Sequence, residues 1–185
     1  MKKLKTLLVV CLLSLGFVAA SAQNLNWGVK AGLNVSSLTS LDDAKFKPGF
    51  NVGVLGQYMF AGSEGFGVEA GLQYSMLGFK YEMFGESETL NASYLQLPIQ
   101  ALYKINAGPG LSLYPSAGIY LGYGLGGTHD YFDGAEEFDF GVKIGFNVQF
   151  EKIIIGLAYE QGLTDVPEYG DGKNSNIALS VGYLF

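Results

Sequence analysis

Apolar residues alternate one by one with small or polar residues along most of this chain, and this alternation constrains the fold more than any other feature. A period of two is typical of β-strands, whose side chains point to opposite faces in turn. The clearest case is 138–150, where seven apolar residues alternate with residues such as Asp139, Lys143 and Asn147. The pattern predicts eight strands, at 26–37, 50–60, 66–76, 94–105, 111–125, 138–150, 153–163 and 175–185.

The segments between the predicted strands alternate in length. Short turns at 61–65, 106–110 and 151–152 alternate with long polar or glycine-rich loops at 38–48, 78–92, 126–137 and 164–174. Bacterial outer-membrane barrels have this arrangement, with short periplasmic turns and longer extracellular loops. Both termini are then expected on the periplasmic side.

The short turns also predict how neighbouring strands pair. Counting back from each turn places Lys143 opposite Glu160 and Gln57 opposite Glu69. The same counting places Ile105 opposite Leu111, and Gln96 opposite Tyr120. Since a slip of one residue would exchange the two faces of a strand, consistent pairing supports the strand assignment.

Alternation alone would also fit a soluble sandwich or a lipocalin-like barrel with its apolar face inward. Three features favour the opposite orientation. The polar face carries mainly Gly, Ser, Asn and Gln with few charges, which suits a narrow interior better than a solvated surface. Aromatic residues lie near the strand ends, as in the two interfacial belts of a membrane barrel. The chain also ends on an apolar-alternating strand with Val181, Tyr183 and Phe185, the pattern of an outer-membrane assembly signal.

Closure of the sheet follows from the same orientation. Backbone polar groups in hydrocarbon need partners within the protein, so a free sheet edge is excluded and the last strand must pair with the first. The sequence therefore predicts an all-β fold, an eight-stranded antiparallel up-and-down transmembrane β-barrel in the cell outer membrane.

The N-terminus has the three parts of a secretory signal peptide. Lys2, Lys3 and Lys5 precede an apolar run, and Ala20-Ser21-Ala22 forms a small-x-small cleavage site. We expect cleavage after residue 22, leaving 23–185 as the barrel domain. The only cysteine, Cys11, lies within the apolar run, so the exported part would have no disulfide and no cysteine metal site.

Charge excludes one class of partner. Without the three N-terminal lysines, 8 lysines and no arginine face 17 acidic residues, which gives a formal charge of −9. Nucleic-acid binding requires clustered Lys and Arg, so no nucleic-acid partner is expected. The 27 glycines, 12 tyrosines and 13 phenylalanines are too aromatic for a disordered chain and too glycine-rich for a helical one.

Three stretches resemble the PorT-type outer-membrane β-barrel family of Bacteroidetes. They are the opening segment 27–34 (WGVKAGLN), the segment 94–99 (YLQLPI) and the final hairpin, made of 157–165 (LAYEQGLTD) and 176–185. The resemblance covers nearly all of the chain after the signal peptide and implies a barrel architecture. These motifs carry no catalytic signature, and the secretion role of the namesake is not implied by them.

The sharpest candidate site lies inside the predicted barrel. Lys30, Glu69, Lys143 and Glu160 all have the parity of lumen-facing positions. They could line a narrow ion path or gate, or they could form a salt-bridged plug that compensates buried charge. We favour the plug, because the interior of an eight-stranded barrel is just wide enough for side chains to fill.

Other candidates point to weaker chemistry. His129 is the only histidine, and no serine lies beside it; Ser112 and Ser116 belong to the opposite half of their strand, so we expect no catalytic site. The acidic residues of the third and fourth loops could bind Ca²⁺ or bridge metal ions to lipopolysaccharide, or could simply be solvated. They are Asp130, Asp133, Glu136, Glu137, Asp139, Asp165, Glu168 and Asp171. Pro98 has lumen-facing parity, and a bulge is expected there, since proline cannot donate to a strand ladder.

Two functional classes remain open from sequence. One is a structural or surface-interaction barrel that presents its four long loops to a partner. The alternative is a small pore or transporter for ions or small solutes. Neither requires a cofactor, and both imply contact with outer-membrane lipid, with lipopolysaccharide and, during biogenesis, with the barrel-assembly machinery.

Overall fold

The computed structural model describes residues 25–39, 46–83, 86–127, 138–165 and 172–185, and for 79–83 and 86–90 the backbone only. The described residues form the strands β1 (Leu25–Thr39), β2 (Lys47–Met59), β3 (Phe66–Met83), β4 (Glu86–Tyr103), β5 (Ile105–Gly108), β6 (Leu111–Gly127), β7 (Phe138–Phe150), β8 (Ile153–Gly162) and β9 (Lys173–Leu184). No helix within these ranges is long and apolar enough to cross a membrane. The predicted signal peptide at 1–22, with Cys11, lies outside the described residues.

The strands form one closed antiparallel sheet. Consecutive strands pair with each other except β4 and β5, and β1 also pairs with β9, from Gly28↔Leu184 to Thr39↔Lys173. Both β4 and β5 pair with β6, in successive stretches separated by Lys104, so together they occupy the place of a single strand in the barrel. The result is the predicted eight-stranded antiparallel barrel.

Burial is inverted relative to a water-soluble protein. On β8 and β9 the apolar side chains Leu157 and Val181 are 54% and 57% exposed on the outer wall. Glu160 and Asn176, on the same two strands, are each 2% exposed and face the lumen. Such a surface is stable only against hydrocarbon, because water would leave a continuous apolar belt exposed. The soluble lipocalin-like alternative is thereby excluded.

The predicted pairing is confirmed in two hairpins and wrong in a third. Lys143 pairs with Glu160, and Gln57 with Glu69, as counted from their turns. In the β4–β6 hairpin, however, Ile105 pairs with Leu113 and not with Leu111. The ladder there continues to Gly108, and the turn closes at Gly110, whose φ of 71° favours glycine.

The same two-residue shift applies along β4. Gln96 pairs with Gly122, whereas Tyr120 lies opposite Pro98. An even shift keeps every side chain on its predicted face, which is why the alternation did not reveal the error.

Two further predictions fail at the long-loop end. The predicted loop 78–92 is mostly strand, since β3 and β4 remain paired from Phe79↔Leu90 to Met83↔Glu86. Its polar, glycine-containing sequence resembled a loop, but backbone pairing between two strands does not require an apolar face. The bulge expected at Pro98 is also absent: Pro98 is buried without a register shift, and the shift in this ladder falls between Ser93 and Tyr94.

Candidate functional site: the polar lumen

The four charged residues singled out from sequence lie on different walls and point into the lumen as two ion pairs. Lys143 on β7 donates to Glu160 on β8, with 2.6 Å between Nζ and Oε1. Lys30 on β1 and Glu69 on β3 form a looser pair, with 3.8 Å between Nζ and Oε1. The side chains of Lys143 and Glu160 are 4% and 2% exposed, so this pair is almost fully removed from solvent.

Amide side chains supply the remaining hydrogen bonds of both carboxylates. Asn176 Nδ2 donates to Glu160 Oε2 at 3.0 Å. Gln57 Nε2 donates to Glu69 Oε2 at 2.9 Å, and Gln100 Nε2 lies 3.4 Å from Glu69 Oε1. Buried ions are tolerated only when their lone pairs and protons are used in this way. The arrangement therefore holds the charges in place and gives each carboxylate both an ammonium and an amide partner.

Further amides tie neighbouring walls together above and beside the ion pairs. Asn34 Nδ2 donates to Ser75 Oγ at 2.9 Å, and Asn51 Nδ2 donates to Asn34 Oδ1 at 2.7 Å. Gln73 Nε2 donates to Gln96 Oε1 at 2.8 Å. Buried polar networks of this kind fix one arrangement of side chains when their members are paired.

A small polar cavity remains beside the ion pairs. Its volume is about 20 Å³, enough for roughly one water molecule. Long polar side chains line one side, among them Lys30, Glu69, Gln73 and Gln100, whereas the side formed by β7, β8 and β9 carries mostly small residues beside Lys143 and Asn147. The small residues are Gly145, Gly156, Ala158, Ala178 and Ser180.

Apolar side chains close the lumen at the short-turn end, a feature that the sequence analysis missed. Leu55, Ile154 and Leu184 form a buried cluster, each 5% exposed or less. The available signal was a break in alternation, since 153–155 is a run of three isoleucines and one of them must point inward. An apolar layer across a narrow lumen opposes the passage of ions.

A buried carboxylate occupies the long-loop end. Asp139 accepts hydrogen bonds from Tyr120 Oη at 3.1 Å, Thr164 Oγ1 at 2.8 Å and Asn174 Nδ2 at 2.9 Å. We call these four residues the Asp139 hub. The expectation that Asp139 belongs to an acidic solvated or metal-binding loop is wrong, because it lies on β7, 2% exposed and facing the lumen.

The ring of Tyr120 can reach Asp139 because it lies against a residue without a side chain. The ring of Tyr120 packs against Gly141, where an added Cβ would lie 2.5 Å from Tyr120 Cε1 and would clash with the backbone O of Gln161. Any larger residue at 141 would have to displace both, so packing favours glycine there.

The described part of the chain contains no group of three or more His, Cys, Asp or Glu side chains placed to hold a metal ion. Asp165 instead pairs with Lys173, with 3.1 Å between Oδ1 and Nζ. His129 and the acidic residues Asp130, Asp133, Glu136, Glu137, Glu168 and Asp171 lie outside the described residues. Of the two serines weighed as nucleophiles, Ser116 Oγ donates to Gln100 Oε1 at 3.2 Å and Ser112 Oγ lies 3.5 Å from Asn106 Oδ1.

The C-terminal strand presents its alternate residues outward. Val181, Tyr183 and Phe185 are all exposed on the outer wall. Phe185 also stacks on Trp27 of β1 with 4.2 Å between ring centroids, and its backbone N donates to Trp27 O at 2.9 Å. The last residue therefore helps to close the seam between the first and last strands.

The sequence also matches a known protein family. The family model described as outer membrane protein beta-barrel domain matches residues 21–168. The chain belongs to this outer-membrane β-barrel family. No curated protein sequence matches it.

Two solved structures show the same fold for this outer-membrane barrel. The outer membrane enzyme PagL gives a TM-score of 0.56 at 14% identity, covering 84% of this chain and 98% of PagL. Neisserial surface protein A gives a TM-score of 0.52 at 14% identity, covering 86% of this chain and 97% of its own. At this identity the likeness concerns the fold alone. Family membership assigns the exposed apolar wall to the outer membrane, and the finer assignment to PorT-type barrels stays a prediction.

Proposed function

We propose that this outer-membrane barrel has a structural or surface-interaction role and that its lumen is plugged by its own side chains. The observation that carries the proposal is the filling of the lumen along its length. The apolar cluster of Leu55, Ile154 and Leu184 closes the short-turn end, the two ion pairs occupy the middle, and the Asp139 hub occupies the long-loop end.

The dimensions of the lumen support a plug. A conducting path needs continuous water, whereas the cavity beside Lys30 and Lys143 has room for roughly one molecule. Ions would also have to cross the apolar cluster, where no polar side chain replaces their hydration shell. If the lumen does not conduct, we propose that a surface partner is recognised by the segments at the long-loop end: 38–48, 78–92, 126–137 and 164–174.

A small pore or transporter is the second candidate, and the polar cavity is the observation that favours it. Lys30, Glu69 and Lys143 line that cavity and would line the middle of any ion path. This candidate requires the side chains at both ends to move aside.

Conductance of the refolded protein in a planar bilayer separates the two candidates. Heat-modifiable migration on a gel first establishes that the barrel has folded. We expect a silent membrane for the unaltered protein. Stable single-channel steps that change with Lys143→Ala would contradict the plug and support the pore. The matched control is Lys152→Ala, which removes the same charge from the turn between β7 and β8, outside the lumen.

We further propose that the protein is not an enzyme, although one structural neighbour, PagL, is named an outer membrane enzyme. The support is that the hydroxyl of Ser116 is engaged in the lumen by Gln100. Hydrolysis of lipid or ester substrates by the purified barrel, abolished by His129→Ala, would contradict this.

We also propose how the barrel is exported, assembled and oriented in the membrane. Residues 1–22 are proposed to be removed on export, with both termini periplasmic. Val181, Tyr183 and Phe185 are proposed to be read by the barrel-assembly machinery, and lipid and lipopolysaccharide to surround the wall. Protease added to intact cells tests the orientation, since cleavage is expected in the long loops and not in the three short turns.

A further inference from the structure

We propose that Asp139 is a positioning residue for the surface at the long-loop end, because it holds the ends of two long loops against the lumen. The significance of that surface rests on the proposed interaction role. The hub itself is a property of the folded barrel and can be tested without any partner.

The three donors to Asp139 come from three different places in the barrel wall. Tyr120 belongs to β6, Thr164 follows β8, and Asn174 is the second residue of β9. Asp139 is itself the second residue of β7, so only Phe138 separates it from the segment 128–137. Thr164 and Asn174 flank the segment 166–171 on both sides. One carboxylate therefore joins the C-terminal end of one loop to both ends of the next.

The hub reaches the opposite wall and the local backbone. Asn174 Nδ2 lies 3.4 Å from the hydroxyl of Tyr94 on β4, across the lumen from β9. Thr164 Oγ1, which donates to Asp139, accepts a hydrogen bond from the backbone N of Phe140 at 3.1 Å. Leu163 N donates to Phe140 O at 2.8 Å. The position of the chain that leaves β8 is thus linked to the Asp139 carboxylate.

Within the described residues, only neutral groups donate hydrogen bonds to the Asp139 carboxylate, and no lysine nitrogen lies within 4.0 Å of it. Glu69 and Glu160, in contrast, each have an ammonium partner. Within the part of the chain that the structure describes, Asp139 therefore balances no neighbouring lysine. Its two oxygens receive three donors, and an amide at this position would turn one acceptor into a donor that faces other donors.

Amide hydrogen exchange of the isotope-labelled barrel in detergent micelles tests the proposal. In Asp139→Asn, exchange at Phe140 and Leu163 is expected to accelerate about tenfold, the loss of one hydrogen bond to a charged group. Exchange at Glu151 and Lys104 should stay unchanged, because their amides donate to Gly110 O and Gly65 O at the short-turn end.

A matched control removes a different buried carboxylate. Glu69→Gln alters the middle of the lumen and is expected to leave exchange at Phe140 and Leu163 unchanged. If Asp139→Asn does not fold, Thr164→Val replaces it and is read at Leu163, because the hydroxyl that it removes is itself the acceptor of the Phe140 amide. Unchanged exchange at Phe140 in Asp139→Asn, unchanged exchange at Leu163 in Thr164→Val, or equal acceleration at both ends of the barrel, would overturn the proposal. Conductance is a separate measurement, so failure of the plug leaves this test unaffected.

Discussion

Removal of one partner from the buried ion pair should destabilise the barrel strongly. Lys143→Met keeps much of the side-chain volume but removes the ammonium that lies 2.6 Å from the Glu160 carboxylate. That carboxylate is 2% exposed and would keep only the hydrogen bond from Asn176. Breaking a buried pair in this way costs about 3–5 kcal/mol of unfolding free energy. Adding Glu160→Gln removes the uncompensated charge and retains an acceptor for Asn176. The double variant should therefore recover about 2–3 kcal/mol of the loss.

The unfolding free energy can be measured by urea titration of the refolded barrel in lipid vesicles. Trp27 is the only tryptophan and lies on the outer wall, so its fluorescence reports transfer from lipid to water. Lys173→Met is the matched control, because its pair with Asp165 is 3.1 Å long but the two side chains are 35% and 43% exposed. An exposed pair contributes about 0–1 kcal/mol. If Lys143→Met costs no more than Lys173→Met, the argument that the lumen charges depend on each other is refuted.

Three further substitutions test other parts of the barrel by the same titration. Gly141→Ala should cost about 1–3 kcal/mol because the new Cβ would collide with the backbone O of Gln161 and with the Tyr120 ring, and a neutral result would show that both have room to move. Leu157→Arg places a charge on the lipid-facing wall near the middle of β8 and should cost about 2–4 kcal/mol; a loss below about 1 kcal/mol would contradict contact with hydrocarbon there. Phe185→Ala removes the stack on Trp27 and should cost at least about 0.5–1.5 kcal/mol and alter the emission of Trp27, whereas an unchanged emission spectrum would mean that the stack does not form in lipid.

The number of strands, the face of each strand that meets lipid and most of the strand pairing could be predicted, because each depends on local alternation. The face of Lys143 and its pairing with Glu160 follow from parity and from a two-residue turn. The β4–β6 pairing was wrong because the ladder continues into 106–108, which the sequence analysis assigned to the turn, and a register that differs by two residues changes no face.

The ends of the lumen were harder to predict than its middle. Leu55 and Leu184 are apolar residues at inward positions, and alternation has no means of showing that they meet. The role of Asp139 depends on donors as distant as Asn174, 35 residues along the chain, which become neighbours only when the barrel closes. Long-range contacts of this kind arise from closure and leave no local pattern in the sequence.

The unequal walls of the cavity bear on how such a barrel could be altered. Within the limit that eight strands impose, its bore is narrowed by the long amides on β3 and β4, including Gln73 and Gln100, since the facing wall includes residues as small as Gly156. Shortening those amides to serine would widen the chamber without disturbing a single backbone hydrogen bond. The same scaffold could then be engineered into a vessel for a guest molecule, with the apolar layer at Leu55 as its floor.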